Sequence, residues 1–304
     1  MSKHPTVLDY FRSFYFQNKP QDLVQTLEYF GVFGGTGWSV DMQKTLWELI
    51  ETKALKNYTY IHNDIAALTH SSKISHTLLT AIATGDRRIF STFKRARISR
   101  EEGEEALYRL YESGLIEPQY SLERPLHADD DISDKLSFIQ PFMRFWFAFI
   151  SPFYKSIKEG NYEEVKTSFQ NREQGFFDPI FTELSYEVLK KNFVDDPIVE
   201  IGSYWDKKAQ IDILAKTYSG KRIAGTCKYS DAKVKKSELS KLIHNATLVD
   251  LEADIYVIFA KNGFSNELKS LKNESLKLYT LKSFKVLIDD VSDRDFIPCE
   301  GKRY

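Results

Sequence analysis

Residues 198–228 read IVEIGSYWDKKAQIDILAKTYSGKRIAGTCK. Ile198–Tyr204 alternates with the period of two that a half-buried strand requires. Gln210–Lys216 repeats the pattern, Tyr218-Ser219-Gly220 is a turn, and Arg222–Lys228 is a third strand. Phe181–Asn192 before this meander is an amphipathic helix. After it come a helix at Ser237–Asp250, a fully apolar strand at Ile255–Ala260, a helix at Asn266–Lys272 and a short strand at Leu276–Thr280. Helix, three-strand meander, helix and strand is an α/β order with mixed strand directions.

Strand parity places chemistry on this frame. Ile211 and Ile213 point one way, so Asp212 points the other. On the next strand Ala224, Thr226 and Lys228 share one face and Ile223, Gly225 and Cys227 the opposite one. A hairpin closed through its short turn brings Asp212, Thr226 and Lys228 together, with Glu183 or Glu187 approaching from the preceding helix. An acid and a lysine at a strand end form the skeleton of a magnesium-dependent phosphodiesterase site: hard oxygens hold the ion, and lysine orients water or offsets phosphate charge. The plainer reading of the same residues is a surface ion pair, commonplace on a solvent-facing strand.

The first third is helical, with apolar positions three and four apart over Val7–Phe16 and Leu23–Phe30. Gly31, Gly34, Gly35 and Gly37 break the second run, and Ser39 is positioned to cap a helix through Trp47 and Ile50. A winged helix follows: helices at Ser75–Thr84 and Ile89–Lys94, a third opened by Ser99 with Glu101 and Glu102 at its positive end, Gly114 as its stop, and a wing strand at Leu115–Pro118. Asp129-Asp130-Asp131 reads as a wing tip or solvated linker. The stretch FIQPFMRFWFAFISPFY, 138–154, is apolar at helical spacing but carries Pro141, Arg144 and Pro152 and falls short of the ~18–20 uninterrupted apolar residues of a spanning helix. It reads as a buried helix, not a membrane segment.

Five segments carry a resemblance: FIQPFMRFWFAFISPFYKSIKEGN, FTELSYEVL, IGSYWDKKAQIDILA, AGTCKYSDAKV and IYVIFAKNGFSNEL. Together they resemble the C-terminal region of a family of archaeal and bacterial AAA-type ATPases, a restriction-endonuclease-like domain of unassigned function with the PD-(D/E)XK fold. The winged helix is also what that family places before this domain. The resemblance implies an α+β or α/β chain: a helical segment at 1–70, a winged-helix-like domain at 71–130, an aromatic helical connector at 131–172 and a restriction-endonuclease-like mixed-sheet domain at 173–304. Its motif maps onto Asp212 as metal ligand and Lys228 as the water-positioning lysine, with Glu187 as an assisting catalytic ligand and Mg²⁺ as the ion. Two positions depart from the motif: Thr226 stands where the family has a carboxylate two residues before the lysine, and Thr182 where the helix often has a glutamate. YFGVFGGTGW resembles the Gly-Gly segment that closes the family's ATPase module, yet no Gly-x4-Gly-Lys-Ser/Thr occurs and no ATP site is found. The resemblance also implies a separately encoded ATPase, or another protein, as a partner.

Composition bounds the partners. The 304 residues hold 42 basic and 43 acidic side chains, a net charge of −1, which excludes a uniformly basic nucleic-acid coat. Hydrophobic content of 42% excludes wholesale disorder. Charge is nevertheless clustered. Over 206–241 ten Lys or Arg, among them Lys207, Lys208, Lys233, Lys235 and Lys236, face four acids. Over 85–100 six, among them Arg87, Arg88, Arg95 and Arg97, face one. Such clusters fit phosphate contacts, so DNA is the expected partner. Two cysteines, Cys227 and Cys299, form no disulfide framework, and Cys227 reads as buried and inert. His70, His76 and His244 have no metal spacing. MSKHPTVLDYFRSFYF has no signal-peptide architecture, and a cytoplasmic home is expected. Either a DNA-binding nuclease-like protein with Mg-dependent cleavage, or a non-catalytic regulator on a degenerate nuclease fold, satisfies these readings.

Overall fold

The computed structural model describes residues 4–123 and 133–298; the acidic run at 129–131 and Cys299 lie outside them. The chain divides into two compact units. One holds the described residues of 1–119, 133–173 and 292–304, the other those of 120–132 and 174–291.

The first unit is helical: α1 (Val7–Asn18), α2 (Leu23–Phe33), α3 (Leu46–Leu49), α4 (Tyr58–Leu68), α5 (Lys73–Thr84), α6 (Ile89–Ala96) and α7 (Arg100–Glu112). Two of the expected details differ. Gly31 does not break α2, which runs on to Phe33 with Gly31 buried inside it. Ser39 does not cap the third helix. Thr45 does, since its Oγ1 accepts from the Glu48 amide while the Glu48 carboxylate accepts from the Thr45 amide. That reciprocal box satisfies two otherwise orphaned donors.

Helices α5, α6 and α7 lead into β1 (Ile116–Gln119), which pairs antiparallel with β2 (Lys135–Phe138). Arg88, before α6, forms an isolated antiparallel bridge to Lys135 of β2. Helices α5, α6 and α7 followed by β1 keep the order expected over 71–130, and β2 completes the hairpin beyond it. Gly103 lets α7 close on α6, because a Cβ there would enter the Phe93 ring. The aromatic run continues as α8 (Pro141–Phe145), a wider π-helical turn at Trp146–Ile150 and α9 (Tyr154–Lys158). Residues Phe145 to Ile150 are fully buried, with Trp146 stacked on Tyr58 and Phe149 edge-on to Phe169 at 5.2 Å. Their apolar area is therefore used in a protein core. Among the described residues no helix is long and apolar enough to cross a membrane.

Helix α10 (Glu163–Asn192) is longer than its amphipathic end suggested, and it accommodates Pro179. The second unit takes its last turns and adds β3 (Ile198–Trp205), β4 (Gln210–Thr217), β5 (Arg222–Lys228), α11 (Lys236–Leu248), β6 (Ile255–Ala260), α12 (Asn266–Ser270) and β7 (Leu276–Thr280). The five strands lie in sequence order, β3-β4-β5 antiparallel and β5-β6-β7 parallel. The parallel steps need crossovers, which α11 and α12 supply. Leu242 and Ala246 of α11 pack on Leu214 and Ala224. On the other face Phe181 of α10 stacks on Phe284, which meets Phe259. A helical unit followed along the chain by a mixed sheet is the expected α+β class.

Candidate functional site

Thr226 and Lys228 sit at the carboxyl end of β5, the end where open α/β sheets place their ligands. They line a half-open cavity of about 230 Å³ under α11, together with Asp212 of β4 and Glu238, Lys241 and Asn245 of α11. Gly202 to Tyr204 on β3 oppose Leu214 to Ile211 on β4, so β4 carries one extra residue around Asp212. This bulge overrides simple alternation. Ile211 does not stay with Ile213 but joins Leu214, Ala224 and Leu242 beneath α11.

The Asp212 carboxylate is held by its neighbours. Its Oδ2 accepts from Thr226 Oγ1 at 2.8 Å and from the Cys227 amide at 3.1 Å. Its Oδ1 has a longer contact, 3.4 Å, from Gln210 Nε2. Tyr186 of α10 donates to the Asp212 backbone carbonyl at 2.8 Å. Lys228 Nζ lies 3.1 Å from Glu238 Oε2. Burial works to lower the Lys228 pKa, but the Glu238 hydrogen bond and charge, with Asp212 and Asp178 behind them, outweigh it and hold the ammonium above its ordinary value. Cys227 is buried, and its thiol is pushed far up by desolvation first and by Asp212 second, which disfavours the thiolate.

Asp212 and Lys228 are thus brought together. Glu187 is not: it pairs with Lys190 at 2.7 Å on α10 and does not line the cavity. Helix α10 meets the sheet on the face of Cys227 and Phe259, and Glu183, like Glu187, is not among the residues that line the cavity. A magnesium ion needs several hard oxygens. Where the motif has a second strand carboxylate, Thr226 supplies a hydroxyl that donates to Asp212. Among the described residues no group of three or more His, Cys, Asp or Glu is placed to hold a metal. The donor set does not fit the ion.

Glu238, Lys241 and Asn245 escaped the strand-based reading. They have a signal of their own, since 238, 241, 242 and 245 follow the spacing of a single helix face. The expected lysines flank the elements of the cavity. Lys207 and Lys208 are exposed on the β3–β4 turn, where Asp206 accepts from the Lys208 and Ala209 amides at 2.7 Å each. Burial raises the Asp206 pKa, yet those bonds, aided by Tyr204 and Lys208, bring it below the ordinary value. The turn is therefore preset with both lysines on its exposed side. Lys233 and Lys235 are exposed just before α11, and Lys236 pairs with Glu267 at 3.2 Å.

In the helical unit Arg87 and Arg88 occupy the α5–α6 turn, Arg95 Nε donates to Thr84 Oγ1 at 3.1 Å, and Arg97 is the left-handed cap of α6. The adjoining α7 face is acidic. Glu101, Glu102, Glu104, Glu105 and Glu112 are all exposed, and Arg100 and Arg109 are paired with Glu104 and Glu105.

Residues 146–241 match the model of DUF234, a family described as archaeal and bacterial proteins of unknown function. The matched stretch includes Asp212, Thr226, Lys228 and Glu238. No curated protein and no solved structure matches the chain.

Proposed function

We propose that this chain is a DNA-binding protein whose sheet unit is a nuclease-like frame used for binding without metal-dependent cleavage. The observation that carries the reading is the state of Asp212 and Lys228. One carboxylate is engaged by Thr226 and a backbone amide, the ammonium is engaged by Glu238, and the exposed Lys241 lines the same cavity. Lys207 and Lys208 stand exposed on the turn that leads into β4. This arrangement supports polyanion contact better than ion coordination. The basic residues around α6, Arg87, Arg88, Arg95 and Arg97, would add phosphate contacts that carry no sequence information.

The test is fluorescence anisotropy with labelled DNA over a salt series. Affinity should fall linearly on a log–log plot, and replacing Lys207 and Lys208 by Ala should flatten the slope by about 0.7–0.9 for each phosphate no longer neutralised. Plasmid incubated with Mg²⁺ or Mn²⁺ should stay intact, equally for wild type and Lys228→Ala. Lysine-dependent cleavage would restore the enzymatic reading, and no DNA retardation at low salt would remove the DNA reading.

The acidic face of α7 favours a second role for the winged helix. Glutamates there repel phosphate, so this helix is better suited to a basic protein surface, such as that of a separately encoded ATPase, than to a major groove.

A further inference from the structure

We propose that the cavity between β4, β5 and α11 accepts one unpaired nucleotide, its base against Asp212 and its phosphate toward Lys241. This rests on the DNA-binding reading and specifies which DNA is bound.

The lining is neither a phosphate cradle nor an apolar hole. Asp212 and Glu238 place two carboxylates in the wall, and Glu238 offsets the Lys228 ammonium at 3.1 Å, so a bare anion there meets the Asp212 carboxylate with no unpaired cation among the described strand residues of the lining to balance it. Lys241 is exposed and also lines the cavity, so positive charge is available at its mouth. A ligand matching that sequence of charges is anionic at one end and a hydrogen-bond donor at the other. A nucleotide bearing an amino base has this form. Cytosine, adenine and guanine each present an exocyclic amino group, and a carboxylate is a recognised acceptor for it. Asp212 has one oxygen for this purpose: Oδ2 is occupied by Thr226 and Cys227, while Oδ1 carries only the long contact from Gln210. Ile211 and Leu242 supply apolar contact for the faces of the base.

Size agrees. At about 230 Å³ the cavity is smaller than the ~300–1,000 Å³ that holds drug-sized ligands, so it takes a single base and not a base pair. A duplex must unstack a nucleotide to enter, at a cost of a few kcal/mol, whereas a single strand or a mismatch offers one cheaply.

The experiment compares full-length protein with labelled single-stranded oligo-dC, oligo-dA and oligo-dT of equal length at one salt concentration. Oligo-dC and oligo-dA should bind about tenfold tighter than oligo-dT, within the range of one base-edge contact. Asp212→Asn should reverse the order. Its single oxygen remains on Thr226 and the Cys227 amide, which turns an amide donor toward the base, and thymine offers acceptors. Lys241→Ala, at an exposed site, should weaken all three oligonucleotides and leave their order unchanged. Unlabelled dCMP should compete, and inorganic phosphate at matched ionic strength should not.

Equal binding of the three oligonucleotides, an unchanged order in Asp212→Asn, or competition by phosphate equal to that by dCMP would overturn the pocket while leaving DNA binding intact. Absence of binding to any DNA would remove both readings. Circular dichroism of each variant confirms that it is folded.

Discussion

Glu238 sets how much of the Lys228 charge a ligand meets. Both side chains keep about a third of their exposure, so the pair contributes less than ~1 kcal/mol to stability. Glu238→Gln should therefore leave thermal unfolding almost unchanged while freeing one ammonium. DNA affinity should rise several-fold and the salt slope steepen by about 0.9, as for one added phosphate contact; an unchanged slope would show that Lys228 does not face the nucleic acid. A second residue-scale expectation concerns acid. His76 Nε2 lies 2.7 Å from the buried Thr69 hydroxyl and edge-on to Phe147, and His62 stacks on Tyr58. Burial lowers both imidazole pKa values, with Lys158 adding to the effect at His62 and His62 adding to it at His76. Above about pH 6.5 both states of the chain are neutral at these sites; below it the unfolded chain takes up protons that the folded one resists. Stability should thus fall as pH drops below that value toward the lower folded pKa values, and His76→Gln should lose less melting temperature between neutral and mildly acid pH than wild type. Identical losses would remove the histidines as the cause. Thr226 and Lys228 were legible as neighbours on one face because strand parity on β5 is a local rule, whereas at Asp212 the bulge overrides it. The bonds from Thr226 and Cys227 were not, because hydrogen-bond partners are set by the bulge and by side-chain rotamers that no spacing encodes.

Elements show the same division between local and non-local information. The strands β5, β6 and β7 follow the alternating or wholly apolar runs of the sequence, and Ser99 caps α7 as expected, with reciprocal bonds to Glu102 in addition. Ser39 misled because it merely precedes a helical pattern, whereas Thr45 with Glu48 three residues on carries the full box signature. Thr45→Ala should cost about 1 kcal/mol and Ser39→Ala almost nothing, as read by denaturant midpoints. The reach of α10 was hidden by Pro179, which ordinarily ends a helix, so its continuation depends on packing beyond the local sequence. At α7 the exposed side chains decide between groove reading and protein docking. A recognition helix would lose ~1–3 kcal/mol for each base-reading side chain truncated. Tyr108→Ala and Arg109→Ala should instead leave duplex affinity within twofold, since Tyr108 stands 66% exposed beside glutamates and Arg109 is paired to Glu105. A tenfold loss in either variant would return α7 to the groove.

Across the whole molecule the chain does not keep its units contiguous, and this is where the sequence is least informative. Residues 292–298 rejoin the helical unit, where Arg12 pairs with Asp295 at 2.6 Å and the Ile297 amide donates to Ser13. Residues 121–123 belong to the sheet unit although β1 of the helical unit immediately precedes them. Ser121 Oγ accepts from the Trp205 amide at 2.8 Å and donates to the Trp205 carbonyl at 2.9 Å, the Leu122 amide donates to Ser203, and Glu123 meets Arg222 at 3.0 Å. The bonds from Ser121 and Leu122 cover the end of β3, which among the described residues has β4 as its only strand neighbour. No periodicity announces them, because the partners are separated by 81 to 99 residues and joined by short polar contacts. An edge strand deprived of such cover exposes unpaired backbone groups. Ser121→Ala removes both side-chain bonds to Trp205 and leaves a buried amide without its acceptor, a cost of about 1–3 kcal/mol. Hydrogen exchange should accelerate at Trp205 and its β3 neighbours and stay unchanged in α5 to α7. A fragment beginning at residue 174 should show the same β3 fraying more strongly, since it lacks residues 121–123 altogether. Protection of β3 equal to that of the intact chain would show that β4 alone holds the strand.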